Sequence, residues 1–345
     1  MNKFEELGLS ELVVSAIIEM GFEQPTPIQE KAIPLLLKES TDLVGLAQTG
    51  TGKTAAFGLP LIDLVREEDR YTQALVIAPT RELCLQITSN LQRYAKNKPA
   101  MNIVAVYGGA NISEQAKQIK RGAQIIIATP GRLIDLLNRK WVRLDQVEYV
   151  VLDEADEMLN MGFKEDIDEI LQTTPDQKRV WLFSATMAPE IRRIAENYME
   201  NPQEIVASPR NMANTNISHQ FVVVHPRDKY MALKRFIDYN PDVFGLVFCR
   251  TKAETQQVAD HLMKDGYNAD SLHGDLSQMQ RDKVMEKFRD KTLQILVATD
   301  VAARGIDVDN ITHVFHLSLP DDIEFYTHRS GRTARIGKRV SQWPS

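Results

Sequence analysis

Six short apolar runs rich in β-branched residues constrain this chain more than any other feature: DLVGLA at 42–47, ALVIAP at 74–79, NIVAVYG at 102–108, QIIIATP at 124–130, YVVLDE at 149–154 and RVWLFSA at 179–185. Runs of this kind suit strands covered on both faces, as in a parallel sheet, and helical stretches separate them. In RELCLQITSNLQRYAKN, Leu83, Ile87, Leu91 and Tyr94 recur at spacings of four, four and three, which is one face of a helix. The βαβα alternation predicts a doubly wound α/β sheet.

A second series follows a polar, aperiodic stretch, SPRNMANTN at 208–216, whose Pro and Asn content suits a linker. Its strand candidates are QFVVVH at 220–225, GLVFCR at 245–250, QILVATD at 294–300 and HVFHLSL at 313–319, and Ser277 is a good N-cap for the helix SQMQRDKVMEKFRD. The reading is therefore two α/β domains, 1–207 and 218–345, joined by 208–217. With 43% hydrophobic and 26% charged residues, the composition excludes disordered and collagen-like classes. No apolar run approaches the roughly 20 residues that cross a bilayer, and MNKFEELGLS lacks the apolar core of a signal peptide, so a soluble, cytoplasmic protein with no membrane partner is expected. Cys84 and Cys249 stand far apart without metal-ligand spacing and read as buried thiols. A net charge of −6 argues against coating nucleic acid through bulk positive charge, but leaves room for a local basic groove.

AQTGTGKT at 47–54 lies between a strand and a helix, the setting in which a phosphate-binding loop works. Gly50 and Gly52 would turn successive amides toward phosphate oxygens, Lys53 would reach the β- and γ-phosphates, and the Thr54 hydroxyl would ligate Mg²⁺. The general pattern has Gly where this chain has Ala47; Gln48, Thr49 and Thr51 fill the rest of the loop. Pro60 is expected to end or kink the following helix after about two turns. VVLDEAD at 150–156 closes a buried strand with carboxylates at the edge where open α/β sheets bind ligands. Asp153 is then the magnesium carboxylate and Glu154 the group that polarises the attacking water, because crowded acids are tolerated where a cation sits among them. Taken alone the stretch also fits a solvated acidic loop, and TPGR at 129–132 also fits a plain turn.

With these residues the chain resembles a bacterial-type DEAD-box ATP-dependent RNA helicase, built from two RecA-like domains, from Phe4 to about Lys338. The resemblance implies that in GFEQPTPIQ at 21–29, Gln29 bonds the adenine edge, with Phe22 beside it and the upstream Phe4 stacking on the base. It implies first-domain RNA contacts at Pro79, Thr80 and Arg81, at Gly108 and Gly109, and at Thr129, Pro130, Gly131 and Arg132. In the second domain it implies RNA contacts at Arg250, Gln278, Arg281, Thr299 and Asp300, and nucleotide contacts at Gly305 and Asp307. Ser184, Ala185 and Thr186, with Asp156, become the element that couples nucleotide to RNA, and His328 and Arg329 are expected near Asp156 and that element. Arg332 and Arg335, three residues apart, become fingers on the γ-phosphate; without the resemblance they read more readily as a solvated basic helix end.

The implied protein is a monomeric ATP- and Mg²⁺-dependent enzyme that grips the RNA backbone and 2′-hydroxyls with little sequence preference, closing its two domains on ATP and RNA to separate short duplexes. Two other readings share the motifs: an ATP-gated RNA clamp with little unwinding, and a phosphate-loop NTPase acting on DNA. After Lys338 the chain departs from the family with RVSQWPS, which lacks strand periodicity and contains Pro344. A second domain without its last strand and following helix is therefore expected, with an exposed sheet edge or a substitute pairing in their place.

Overall fold

The computed structural model describes residues 3–38, 41–48, 50–207, 217–303, 308, 310–320, 326, 329–330, 333 and 340–344. The chain divides into two units, Met1–Pro209 and Arg210–Ser345.

The first unit holds seven strands: β1 Leu43–Leu46, β2 Ala74–Ile77, β3 Ile103–Val106, β4 Ile125–Ala128, β5 Tyr149–Leu152, β6 Arg179–Ser184 and β7 Gln203–Val206. They form one sheet in the order β3-β4-β2-β5-β6-β1-β7, and every pairing is parallel. Its helices are α1 Glu11–Glu19, α2 Pro27–Lys38, α3 Lys53–Leu64, α4 Arg81–Tyr94, α5 Ile112–Lys120, α6 Pro130–Asn138, α7 Ala155–Asn160, α8 Lys164–Gln172 and α9 Pro189–Tyr198. Successive strand residues feed two separate cores. Ala74, Val76, Ile125, Ile127 and Trp181 join Leu59, Ile87 and Leu91 of α3 and α4, while Leu75, Ile77, Ile126, Ala128 and Leu182 join Leu133, Ile170 and Ile191 of α6, α8 and α9. This two-sided burial is why the strands read as unbroken apolar runs. Close packing is visible at Gly45 of β1, where a Cβ would lie 2.8 Å from the Phe183 ring on β6.

The second unit runs β8 Ile217–His219, α10 Lys229–Tyr239, β9 Gly245–Cys249, α11 Lys252–Lys264, β10 Ala269–Leu272, α12 Gln278–Arg289, β11 Ile295–Thr299, α13 Asp300–Ala303, β12 His313–His316 and β13 Val340–Pro344. Its sheet has the order β10-β11-β9-β12-β13-β8, again with parallel pairings. Ser277 caps α12 with a full capping box, its side chain accepting from Gln280 N.

Two expectations need correction, one is met, and two strands carried no sequence signal. After Lys338 the substitute pairing is the form the structure takes: Val340–Pro344 pairs with β12 on one side and β8 on the other. QFVVVH is not a strand, for β8 stops at His219. Continued register would set Phe221 opposite Pro344, which has no amide to donate. QEIV and ADSL are strands although neither is an apolar run; they are β7 and β10, both at sheet edges. Finally, Pro60 does not end α3, which continues to Leu64.

Candidate active site

In both sheets the residues expected to act follow the C-terminal ends of parallel strands, the edge where such sheets take ligands. Along the first sheet the order is telling. β6, β1 and β5 lead into the coupling element, the phosphate loop and the acidic turn, while β3, β4 and β2 lead into the three segments assigned to RNA.

The phosphate loop leaves β1 and ends where α3 starts at Lys53. Gly50 and Gly52 have φ of 84° and 92°, a left-handed geometry that L side chains rarely adopt. Ala47 is buried and its amide donates to Ser184 O at 3.0 Å, tying the loop's first residue to β6. Thr51 Oγ1 donates to Gln48 O at 2.5 Å. Lys53 is buried and Thr54 half-buried at the helix start; Thr49 lies outside the described residues. Gln29 lies against this loop: its Nε2 donates to Gly52 O at 3.0 Å and its Oε1 accepts from Thr26 N at 3.0 Å.

Phe4 is a correction. It is 0% exposed in the core and meets Phe22 edge-on with ring centroids 5.8 Å apart, so it supports Phe22 and offers no face to a base. Phe22 is half-buried and packs edge-on to Tyr94 as well.

The acidic turn follows β5. Glu154 has φ of 52°, unusual for a residue with a side chain, and its amide donates to Asp153 Oδ1 at 3.0 Å. Burial pushes the Asp153 carboxyl up to about 7; the Lys53 ammonium pulls it back, and Glu154 and Asp156 push it further. A bound cation would relieve this crowding. Among the described residues no group of three or more His, Cys, Asp or Glu could hold a metal ion.

Asp156 joins the acidic turn to the end of β6. Its Oδ2 accepts from Ala185 N at 3.0 Å, Thr186 N at 3.2 Å and Thr186 Oγ1 at 3.4 Å, while Oδ1 accepts from Glu157 N. Thr186 N also donates to Ser184 Oγ at 3.3 Å. These four residues, grouped by the resemblance as one element, form one hydrogen-bonded unit.

The segments after β2, β3 and β4 are likewise joined. Arg81 lies over the Tyr107 ring at 4.8 Å, and Arg132 Nη1 donates to Ala110 O at 3.0 Å and to Gln115 Oε1 at 2.9 Å. Gln115 Nε2 donates to Tyr107 O at 3.2 Å, closing the link. Sequence reading missed Tyr107 and Gln115. The available signal was Gln115 itself, a polar residue on the Ile112, Ala116, Ile119 stripe of α5. TPGR is a helix start, with Thr129 at the N-cap and Pro130 at the first turn of α6, and Thr80 caps α4 by accepting from Leu83 N. Pro79 is buried, Gly109 has φ of 84°, and Gly108 and Gly131 have open space around them.

In the second unit Arg250 is exposed after β9, Gln278 Nε2 donates to Asp282, Arg281 is half-buried on α12, and Thr299 Oγ1 accepts from Ala302 N at 3.4 Å. Arg329 and Asp300 pair with each other. Arg329 is 4% exposed; its Nε donates to Asp300 Oδ1 at 2.5 Å, Nη2 to Asp300 Oδ2 at 2.7 Å and Nη1 to Ser318 O at 2.8 Å. Both Asp300 oxygens are engaged by Arg329, and both residues belong to the second unit. Gly305, Asp307, His328, Arg332 and Arg335 lie outside the described residues.

Such a two-unit α/β chain, with a phosphate loop after β1 and an acidic turn after β5, the two separated by β6 alone, has the architecture of a nucleotide-dependent helicase core. Comparison narrows this. Residues 26–194 match the DEAD/DEAH box helicase family and residues 228–337 the helicase conserved C-terminal domain, and the chain belongs to the DEAD-box family. It is 48% identical to the ATP-dependent RNA helicase CshA of Listeria monocytogenes over 98% of its own length and 65% of that protein's. It is 47% identical to the DEAD-box ATP-dependent RNA helicase CshA of Geobacillus kaustophilus, over 98% of this chain and 72% of the other. Among solved structures, a DEAD box protein from Methanococcus jannaschii is 43% identical with a TM-score of 0.59, covering 99% of this chain and 92% of that one. Dbp5 of S. cerevisiae bound to RNA and ADP BeF3 is 31% identical with a TM-score of 0.90, covering 99% and 89%. Both RecA-like sheets are thereby accounted for. Among the described residues no helix is long and apolar enough to cross a membrane.

Proposed function

We propose that the chain is an RNA-dependent ATPase that couples nucleotide turnover to local separation of RNA duplexes or remodelling of RNA–protein complexes. The observation that carries the reading is the Asp156 clasp, which ties the acidic turn after β5 to Ser184–Thr186 after β6, beside the loop after β1. A change at the γ-phosphate then has a hydrogen-bonded route to the end of β6. Lys53 and the loop amides hold the β- and γ-phosphates, Gln29 reads the adenine edge beside Phe22, and Glu154 takes the proton of the attacking water. Thr54 and Asp153 would hold Mg²⁺, which when bound neutralises charge on the β- and γ-oxygens. Arg332 and Arg335 supply positive charge to the transition state, a contribution of about 10³–10⁵ in rate for such fingers.

RNA is held through its backbone by Arg81, Gly108, Gly109, Thr129, Gly131 and Arg132 in the first unit, and by Arg250, Gln278, Arg281 and Thr299 in the second. Backbone contact through phosphates and 2′-hydroxyls implies salt-sensitive binding with little sequence preference. We place the protein in the cytoplasm, acting as a monomer. A short RNA duplex with ATP, set against the same duplex with a non-hydrolysable analogue, tests the function. Strand release with ATP supports unwinding; ATP-dependent binding without release favours the clamp.

A further inference from the structure

The Arg329 guanidinium sits where three neighbouring strands of the second sheet end. Asp300 follows β11, Phe248 belongs to β9 and lies 5.0 Å from Arg329 Cζ, and His316 and Ser318 come from the end of β12. Those strands adjoin in the order β11-β9-β12. Nη1 also approaches His316 Nδ1 at 3.4 Å, and His316 stacks on Tyr326 at 4.8 Å, whose hydroxyl meets His219 Nδ1 at 2.7 Å. The ion pair with Asp300 buries the arginine and leaves the aspartate 30% exposed. A buried guanidinium is tolerated only when its donors are satisfied in good geometry, so its position is closely defined. Further along, Ser330 Oγ donates to Tyr326 O at 2.7 Å and the buried Thr333 Oγ1 donates to Ile311 O at 2.6 Å.

Resting on the function proposed above, we propose that Asp300 is a positioning residue for the arginine segment and not a ligand of RNA: it holds Arg329, which with the anchored Ser330 and Thr333 flanks Arg332 in the sequence. The burial of His316, which with the Arg329 charge holds its imidazole far below the ordinary range, keeps that ring neutral beside the guanidinium. Displacing a group by about 1 Å costs on the order of 10²-fold in rate, so loss of this anchor acts on turnover.

The experiment is RNA-stimulated ATP hydrolysis by the whole chain, with kcat and the KM for RNA measured separately. Asp300→Asn is expected to lower kcat at least ~10-fold with the RNA KM within about twofold, and Asp300→Glu to recover part of kcat. Asp300→Asn and Arg329→Gln combined are expected to be no slower than the worse single variant. Thr333→Val, which removes one hydroxyl and no charge, is expected to show the same split at smaller size and serves if Asp300→Asn does not fold. A raised RNA KM with kcat retained, or losses that multiply in the double variant, overturns the proposal. A wild-type chain with no RNA-stimulated turnover overturns the functional reading, and this one with it; additive losses in an active wild type overturn this one alone.

Discussion

At Gly52 a Cβ would lie 2.4 Å from Gln29 Nε2 and 2.9 Å from Thr26 Oγ1, on a backbone already at φ of 92°. Gly52→Ala is therefore expected to weaken ATP binding at least ~10-fold by nucleotide titration, and removing the clash with Gln29→Ala should not restore it because the φ penalty remains. Wild-type affinity in Gly52→Ala would mean the loop does not need this backbone. Replacing Ser184 and Thr186 together by Ala removes hydroxyls while leaving the amides that Asp156 accepts from. Hydrolysis should survive and duplex unwinding fall, whereas equal loss of both would argue against coupling. Burial lifts both the Cys84 and Cys249 thiols to about 12, so neither should react with iodoacetamide at pH 8 until the chain is unfolded. At this scale the sequence was legible where spacing alone dictates geometry, as in Gly50, Gly52 and Lys53. It was not legible where burial decides: Phe4 looks like a free aromatic and Arg329 like a free cation until the tertiary fold encloses them.

The elements that announced themselves are those buried on both faces, because continuous apolar runs have few other uses in a chain of this composition. QFVVVH had the composition of a strand without a partner for it. Phe221 and Val223 are 74% and 89% exposed, so Val223→Lys should leave the melting temperature within about 1 °C and reduce aggregation seen by light scattering. A fall of several degrees would show that the side chain is packed after all. The β12 end carries a pH response. Burial, then the Arg329 charge and His219, lower His316 from 6.5 to about 3, beside Tyr326 and the Arg329 guanidinium. Because the folded value lies below the unfolded one, the contribution is complete above about 6.5 and is lost as the pH falls toward 3. Protection factors for the β9, β11 and β12 amides, corrected for the intrinsic exchange rate, should fall between pH 7.5 and 5.5 in the intact chain, and His316→Asn should flatten that change. His313 and His219, lowered by burial as well, act in the same direction and set the residual slope.

For the molecule as a whole, two parallel sheets supply strand ends, and the residues of the proposed chemistry are distributed along them: phosphate loop, acidic turn and coupling element on one half of the first sheet, RNA segments on the other. The two-domain α/β architecture followed from the apolar periodicity, while the identity of the second sheet's β13 did not, since RVSQWPS has no strand pattern and its pairing depends on neighbours distant in sequence. The motif order carried the family; it carried no information on which polar side chains, such as Asp300, face inward. The central claim is that nucleotide hydrolysis depends on RNA. Steady-state ATPase of the purified chain with and without single-stranded RNA tests it most directly: stimulation of at least ~10-fold, abolished by Arg332→Ala with the fold retained, is the predicted result, and turnover that is indifferent to RNA, or equally stimulated by DNA, would contradict it.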